Sequence, residues 1–437
     1  MKESDPPNTN LDKLHAIEAD IATGKFHKAA AALNALSIDS ATDARIYLTA
    51  AMLARAAKNP RQEILSLQRA IAVAPRWLPA QVELAKVLSL VGHHADALAV
   101  IHQAVVLEPH EINVLEAAAS IANAAGDFVT AQGYLQTALE IRPDDRQIPL
   151  ALAVSLAKQS RFDQAEMHLR RVLDKNPDDP FALGWLGTCL IGLDRKDEAA
   201  TVLAHGMALV PKNDSLRFHL AIARGETPRT QPKELMREFF DGYASQFEQH
   251  LVGKLKYRVP IRVAEIILNA RQDRDISVLD LGCGTGLLGA YLGRIKGAFV
   301  GVDVSVKMVE QAVRYDVYTD LHQADLLEEL QRTAPGSFDY ITANDVFIYV
   351  GDLAEIIPAS FVALRSGGAM IFSCETASDA EAALVLRPSK RYAHSSQSIE
   401  ALCRDAGFSR WAIELIDLRL DEGAIPVAGF ITVAHKD

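Results

Sequence analysis

Val278-Leu-Asp-Leu-Gly-Cys-Gly-Thr-Gly-Leu-Leu-Gly289 begins as a short apolar run, breaks into glycines spaced two apart, and resumes with a helical pattern. A strand–loop–helix junction of this kind brings backbone N–H groups and a helix N-terminus against a nucleotide-like ligand. Its last six residues match the pattern G-x-G-x-x-G, and a second acid, Asp303, ends the next apolar run. That is about the separation expected of an acid that holds a ribose diol. An additional acid, Asp280, precedes the first glycine.

From about residue 276 onward, apolar runs alternate with helical stretches. Ser277–Leu281, Phe299–Val302, Tyr318–His322, Tyr340–Ala343 and Met370–Ser373 read as buried parallel strands. Runs near Trp411–Ile416 and Val427–Val433 extend the sheet after a helix near Ser398–Asp405. The alternation predicts a doubly wound, Rossmann-like α/β sheet, in which ligands bind beyond the carboxyl ends of the strands.

At 437 residues the chain is too long for one ordinary core, so two or more domains are expected. The net charge of −11 argues against a general nucleic-acid or anionic-membrane binder. Cys189, Cys283, Cys374 and Cys403 lie far apart, without a C-x-x-C pair. That pattern predicts reduced thiols and no zinc site, and no histidine spacing points to another metal. Cys283 fills space where the glycine loop needs a small side chain. Residues 1–10 show no secretory pattern and read as a disordered leader. With no apolar stretch of spanning length, the expected location is the cytoplasm.

Upstream, Pro75, Pro109, Pro143, Pro177 and Pro211 recur every 34 residues. Twelve residues before each stand Glu63, Ala97, Ala131, Ala165 and Ala199; five before stand Ala70, Ala104, Ala138, Val172 and Gly206. Small residues at fixed offsets permit close helix packing, and proline ends a helix. The pattern resembles the tetratricopeptide repeat (TPR), a solenoid of helix pairs. A weaker first copy carries Gly24, Phe26 and Ala29, which makes six units, and Asp214–Glu226 reads as a terminal capping helix. The array is expected over 11–226. Its groove positions Val82, Lys86, Asn113, Glu116, Ser120 and Asn123 are mixed in character and lack a set that clamps a peptide carboxylate. Scaffolding and recruitment of a protein or carrier partner both remain open.

Thr227-Pro-Arg-Thr-Gln-Pro232 breaks the helical period and marks a linker over 227–234. Beyond it, Phe239, Phe240, Tyr243 and Phe247 recur at helical intervals within a helical segment expected over 235–275. An amphipathic helix covering the edge of the following domain would look the same.

The glycine loop alone fits a dinucleotide site, a methyl-donor site and a ligand-free turn. The longer string Leu279-Asp-Leu-Gly-Cys-Gly-Thr-Gly286 resembles the first motif of class I methyltransferases that use S-adenosylmethionine (SAM). The resemblance covers roughly 235–437 and includes Phe240-Asp-Gly-Tyr-Ala-Ser-Gln-Phe247, similar to the segment that closes over the donor in many small-molecule methyltransferases. It implies donor contacts from Tyr243, Asp280, Gly282, Cys283, Gly284, Gly286, Asp303 and Val304. Gln323-Ala-Asp-Leu326 resembles the adenine-side motif and adds Asp325 and Leu326; Asn344 completes the set. SAM has no pyrophosphate, so the loop needs close backbone approach rather than a pure anion cradle. Neutral ribose hydroxyls need an acceptor such as Asp303; a phosphorylated ribose would favour an arginine. As a helix N-cap or solvated loop residue, each acid would have an ordinary structural role.

Ala343-Asn-Asp-Val-Phe-Ile-Tyr349 ends the fourth strand, where the resemblance implies an acceptor site with Asp345 as a catalytic candidate and Tyr349 lining it. The segment is not an Asn/Asp-Pro-Pro-aromatic tetrapeptide, which counts against planar amino or amide nitrogens as acceptors. His394 is the expected base, placed in a loop after the fifth strand beside the substrate-binding candidates Arg391 and Tyr392. Arg387, Lys390 and Arg391 form a basic cluster suited to a carboxylate or phosphate. The chain is thus similar to bacterial TPR-fused predicted methyltransferases and, more distantly, to the ubiquinone/menaquinone and malonyl-carrier methyltransferase groups. That implies SAM-dependent transfer to a small-molecule or carrier-bound acceptor. The alternatives are a TPR-recruited protein substrate, a non-catalytic SAM-binding scaffold, and a nicotinamide oxidoreductase, which would explain neither Asp280 nor the aromatic segment.

Overall fold

The structure is a computed structural model and describes residues 10–39, 42–244, 247–421 and 423–437. Apart from Asn10, the expected leader lies outside the described residues. The chain divides into two compact units, 1–209 and 210–437.

In the first unit the described residues form six helix pairs. These are α1 (Leu11–Ala22) with α2 (Phe26–Asp39), α3 (Ala44–Ala56) with α4 (Pro60–Val73), and α5 (Leu78–Leu90) with α6 (His94–Leu107). They continue as α7 (Ile112–Ala124) with α8 (Phe128–Ile141), α9 (Gln147–Lys158) with α10 (Phe162–Lys175), and α11 (Pro180–Gly192) with α12 (Lys196–Leu209). The second helices start at 26, 60, 94, 128, 162 and 196, so the 34-residue step is kept throughout. Each ladder proline stands two residues beyond the end of a second helix, where its missing N–H costs nothing. Ala97, Ala131, Ala165 and Ala199 are completely buried, which explains their size. Glu63 takes the same position in its repeat, also buried, and is held by Arg55 at 2.7 Å.

The turn inside each pair repeats one device. The residues at 24, 58, 92, 126, 160 and 194 all have positive φ, between +56° and +85°. The N–H that follows each one reaches back to the carbonyl five residues earlier, from Lys25 to Asp20 at 2.9 Å through Arg195 to Leu190 at 2.9 Å. This is a helix terminator suited to glycine, yet only Gly24, Gly92 and Gly126 supply one; Lys58, Ser160 and Asp194 do not.

The second unit opens with α13 (Asp214–Ala223), the helix expected to cap the repeats, and α14 (Lys233–Tyr243). The segment between them is not a loose tether. Tyr392 donates its hydroxyl to the Pro228 carbonyl at 2.8 Å, Asp352 N–H reaches Arg229 O at 2.7 Å, and Thr230 bridges Val350. After a π-helical turn at Gln249–Lys254 comes α15 (Val259–Ala270), whose Val259, Val263, Ala264 and Ile267 are buried in the core.

The sheet follows. Strands β1 (Val278–Leu281), β2 (Phe299–Asp303), β3 (Asp320–Gln323), β4 (Phe338–Ala343) and β5 (Leu364–Thr376) run parallel in the order β3-β2-β1-β4-β5. Between them lie α16 (Leu287–Leu292), α17 (Val306–Ala312), α18 (Leu326–Arg332) and α19 (Ile356–Ala363). The chain then forms β6 (Leu384–Leu386), β7 (Tyr392–His394), α20 (Ser396–Ala406), β8 (Arg410–Leu420) and β9 (Pro426–His435). At β5 the sheet forks. Glu375 pairs with Ala393 of β7 and also with Gly429 of antiparallel β9, on which β8 packs. Leu279 and Leu281 join one core layer and Val278 the other, as strand alternation requires.

Two expectations need correction. The third strand is not buried: β3 is the sheet edge, and Asp320, His322 and Gln323 are exposed. The segment read as a loop after the fifth strand is the β6–β7 hairpin, with His394 inside a strand.

Candidate functional site

The sheet reverses its strand order between β1 and β4, and the carboxyl ends of β1, β2 and β4 open on one place. Gly282, Gly284 and Gly286 all have positive φ (+64°, +55° and +90°). A Cβ on Gly282 would come within 2.4 Å of Val346, so that glycine is needed for packing. A Cβ on Gly284 would meet only the Phe247 ring, at 3.8 Å, so its backbone faces the aromatic segment.

Asp303 ends β2 beneath this loop. Its carboxylate accepts Gly284 N–H at 2.9 Å and Ser305 N–H at 2.8 Å. Burial pushes its carboxyl up to about 6, opposed by those two N–H bonds. Asp280 is also buried and pushed up to about 6, chiefly by burial and against hydrogen bonds from Thr342 and Tyr318, both at 2.8 Å. Asn344 adds a long contact to Asp280 at 3.5 Å. These partners make Asp280 a brace for the loop and the end of β4. Cys283 is buried within the loop, its N–H on Val302 O at 2.9 Å.

Asp325 caps α18, accepting Leu327 and Glu328 N–H at 3.0 and 3.2 Å, and its other oxygen lies 3.3 Å from Lys233. Gln323 reaches the Val304 carbonyl at 3.3 Å, and Leu326 packs on the core. The aromatic segment is fastened over the same loops. Asp241 accepts from Ser305 Oγ at 2.5 Å and Lys307 N–H at 3.3 Å; Glu248 takes Arg314 at 3.0 Å and Tyr315 at 3.1 Å. Phe240 meets Tyr349 edge-on at 5.2 Å, and the Tyr243 hydroxyl bonds His250 Nδ1.

Beyond β4, Asp345 adopts φ +55°, uncommon for a residue with a side chain, and its N–H donates to Ser373 Oγ at 2.8 Å. Its carboxylate pairs with Arg419, which also pairs with Glu375; the Arg419 side chain is only 2% exposed. Burial raises the Glu375 carboxyl above its usual range, against the pull of Arg419. Of the basic cluster, Arg387 grips Glu381 and Lys390 lies 3.4 Å from His219, whereas the charge of Arg391 acts on the Tyr349 hydroxyl against the upward push of burial.

His394 is not brought to this cluster. Its Nε2 donates to the Gly351 carbonyl at 2.7 Å, and burial lowers its pKa, leaving it neutral. Strand alternation puts it on one face with Tyr392, which is fully buried against Gly351, opposite Arg391. Tyr392 therefore holds the 228–231 segment, its hydroxyl spent there. Sequence reasoning missed Tyr257, Tyr318, Thr342, Glu375 and Arg419. The one signal was Arg419 set between Leu418 and Leu420 in a strand-like run.

Residues 255–413 match the family model of a methyltransferase domain, and residues 156–224 match a tetratricopeptide repeat model. The chain carries a methyltransferase domain and tetratricopeptide repeats. The methyltransferase part is similar to ubiquinone biosynthesis O-methyltransferases from Colwellia psychrerythraea (28% identity over 102 residues, 23% of this chain) and Xanthomonas campestris (30% over 166 residues, 37% of this chain). The chain spans 42% and 64% of those relatives' lengths. Among solved structures, the Burkholderia thailandensis 1,6-didemethyltoxoflavin-N1-methyltransferase is 20% identical, with a TM-score of 0.38, over 48% of this chain and 93% of that one.

The residues of the methyltransferase domain fit SAM. The open backbone side of Gly284 is what a closely approaching ligand needs, and Asp303 is an acceptor held by two N–H groups. Two buried polar atoms beside the loop, Thr285 Oγ1 and Asn344 Oδ1, lack a partner among the described residues. Among the described residues, no helix is long and apolar enough to cross a membrane.

Proposed function

We propose that the protein transfers a methyl group from SAM to a small-molecule or carrier-bound acceptor, and that its repeats scaffold the enzyme or recruit the partner that presents the acceptor. When bound, SAM supplies an activated methyl on a sulfonium. The protein's task is then alignment and exclusion of water, which is worth roughly 7–11 kcal/mol in favourable cases. Gly282, Gly284 and Gly286 give backbone access to the donor, Asp303 takes the ribose hydroxyls, and Asp325, Leu326 and Val304 border the adenine. The aromatic segment carrying Tyr243 shuts out solvent, while Asn344, Asp345 and Tyr349 border the acceptor.

One observation carries this reading: Asp303 is oriented by the N–H of the glycine loop itself, at 2.9 Å. The test is calorimetric titration with SAM and with its demethylated product, S-adenosylhomocysteine. Micromolar binding is expected, abolished by Asp303→Ala. Normal affinity in that variant would sink the assignment. Isotopically labelled SAM incubated with metabolite and protein extracts then separates a small acceptor from a macromolecular one.

A further inference from the structure

Tyr318 stands just ahead of the edge strand β3, yet its side chain crosses β2 to reach the strand beyond. Its ring lies on Phe299 of β2, with centroids 4.3 Å apart. Phe299 and Gly301 share one face of that strand by alternation, and a Cβ on Gly301 would come within 3.0 Å of the Tyr318 ring. In the sheet register, Asp280 of β1 is the partner of Gly301. Glycine at 301 therefore clears the way from the sheet edge to Asp280. At the end of that way the Tyr318 hydroxyl donates to Asp280 Oδ2 at 2.8 Å.

The third glycine of the G-x-G-x-x-G pattern makes room for the same ring. A Cβ on Gly289 would come within 2.6 Å of it. The Gly289 N–H lies in the first turn of α16, where the helix itself offers no acceptor, and it donates to the Tyr318 oxygen at 3.3 Å. Burial and the neighbouring Asp280 push the Tyr318 hydroxyl well above its usual range, so it keeps its proton and remains a donor. Among the described residues, the side chains that hydrogen-bond Asp280 all offer donors: Tyr318 to one oxygen, Thr342 and Asn344 to the other. That set suits a carboxylate and leaves no acceptor for a carboxylic acid. The other titratable groups in electrostatic reach of Asp280 are Asp303 of β2, Cys283 in the loop and Tyr257 ahead of α15.

We propose that Tyr318 is a positioning residue for the methyl donor: its one hydroxyl holds Asp280 and the first turn of α16 in a single arrangement, and with them the glycine loop that lies between. This rests on the methyl-transfer reading, which supplies the donor. Ring and hydroxyl do separable things. The ring fills the space that Gly289 and Gly301 leave, and phenylalanine would fill it equally. Only the hydroxyl ties the sheet to the loop. Without it Asp280 Oδ2 loses its donor, and a carboxyl already lifted to about 6 by burial rises further, because a bond to its charged form is gone.

The test is calorimetric titration of the full chain with S-adenosylhomocysteine from pH 5 to 9, on the wild type and on Tyr318→Phe. The variant should bind about fivefold more weakly at pH 7. Its fall in affinity on the acid side should also begin about one pH unit higher, with Asp303 intact. Tm should drop by no more than about 4 °C. Wild-type affinity in Tyr318→Phe overturns the positioning role, and so does a weakening whose pH dependence is that of the wild type. A larger loss of Tm overturns it too, since the hydroxyl would then serve the core. If S-adenosylhomocysteine fails to bind the wild type, the donor reading falls and takes this inference with it; a negative result against a wild type that binds strikes Tyr318 alone.

Discussion

Asp241 of α14 accepts the Ser305 hydroxyl at 2.5 Å, and Ser305 in turn orients Asp303 through its N–H at 2.8 Å. One serine thus links the aromatic segment to the acid assigned to the ribose. Asp241→Ala should loosen the cover without touching the glycine loop. S-adenosylhomocysteine is expected to bind about 3–10-fold more weakly, mainly through faster dissociation in stopped-flow measurements. Ser305→Ala should do the same and also cost about 1 kcal/mol of stability, because Ser305 caps α17 through Met308 N–H. The double variant should bind no more weakly than the worse single one; full additivity would mean that the two residues act separately.

Donor affinity should depend on pH through Asp303. Its carboxyl stands at about 6 in the free protein, and only the ionised form accepts both ribose hydroxyls. Affinity for S-adenosylhomocysteine is therefore expected to be flat above pH 7 and to fall towards tenfold per unit below about 6. Asp303→Asn should bind weakly at every pH and lose the step, as read by titrations from pH 5 to 8.

Arg419 compensates two buried carboxylates at once. Arg419→Ala leaves both uncompensated and should cost about 3–5 kcal/mol in urea denaturation. Adding Asp345→Asn and Glu375→Gln to that variant should recover most of the loss. No recovery would mean that the arginine acts through packing instead of charge.

The repeat turns offer a test free of any ligand. Lys58, Ser160 and Asp194 hold a left-handed backbone that glycine adopts at no steric cost. Lys58→Gly and Ser160→Gly should each stabilise the first unit by about 0.5–1 kcal/mol, and Asp194→Gly by less, since aspartate tolerates that conformation better. Thermal denaturation of the three variants would reveal a reversed order.

What could be read in the sequence was local or periodic. The helix pairs followed from prolines at a constant step, and Asp280, Asp303 and Asp325 followed from contiguous motifs at strand ends. What escaped depends on register between distant segments. Arg419 meets Asp345 and Glu375 only because β8, with an irregularity between Asp417 and Arg419, lies on β9 and β9 on β5. His394 was read as a loop residue because three-residue strands are too short to display an alternating pattern. The left-handed turns were legible at the glycines and hidden at Lys58, Ser160 and Asp194.

The segment Pro228–Gln231 has a practical and evolutionary consequence. A protein begun at Lys233 would strip Val350 of its strand partner and leave Tyr392, buried in the whole chain, without the carbonyl it serves. The excisable module therefore starts near residue 210, ahead of the prolines. Any ancestral joining of this domain to a new helical array had to carry those residues along as part of the enzyme.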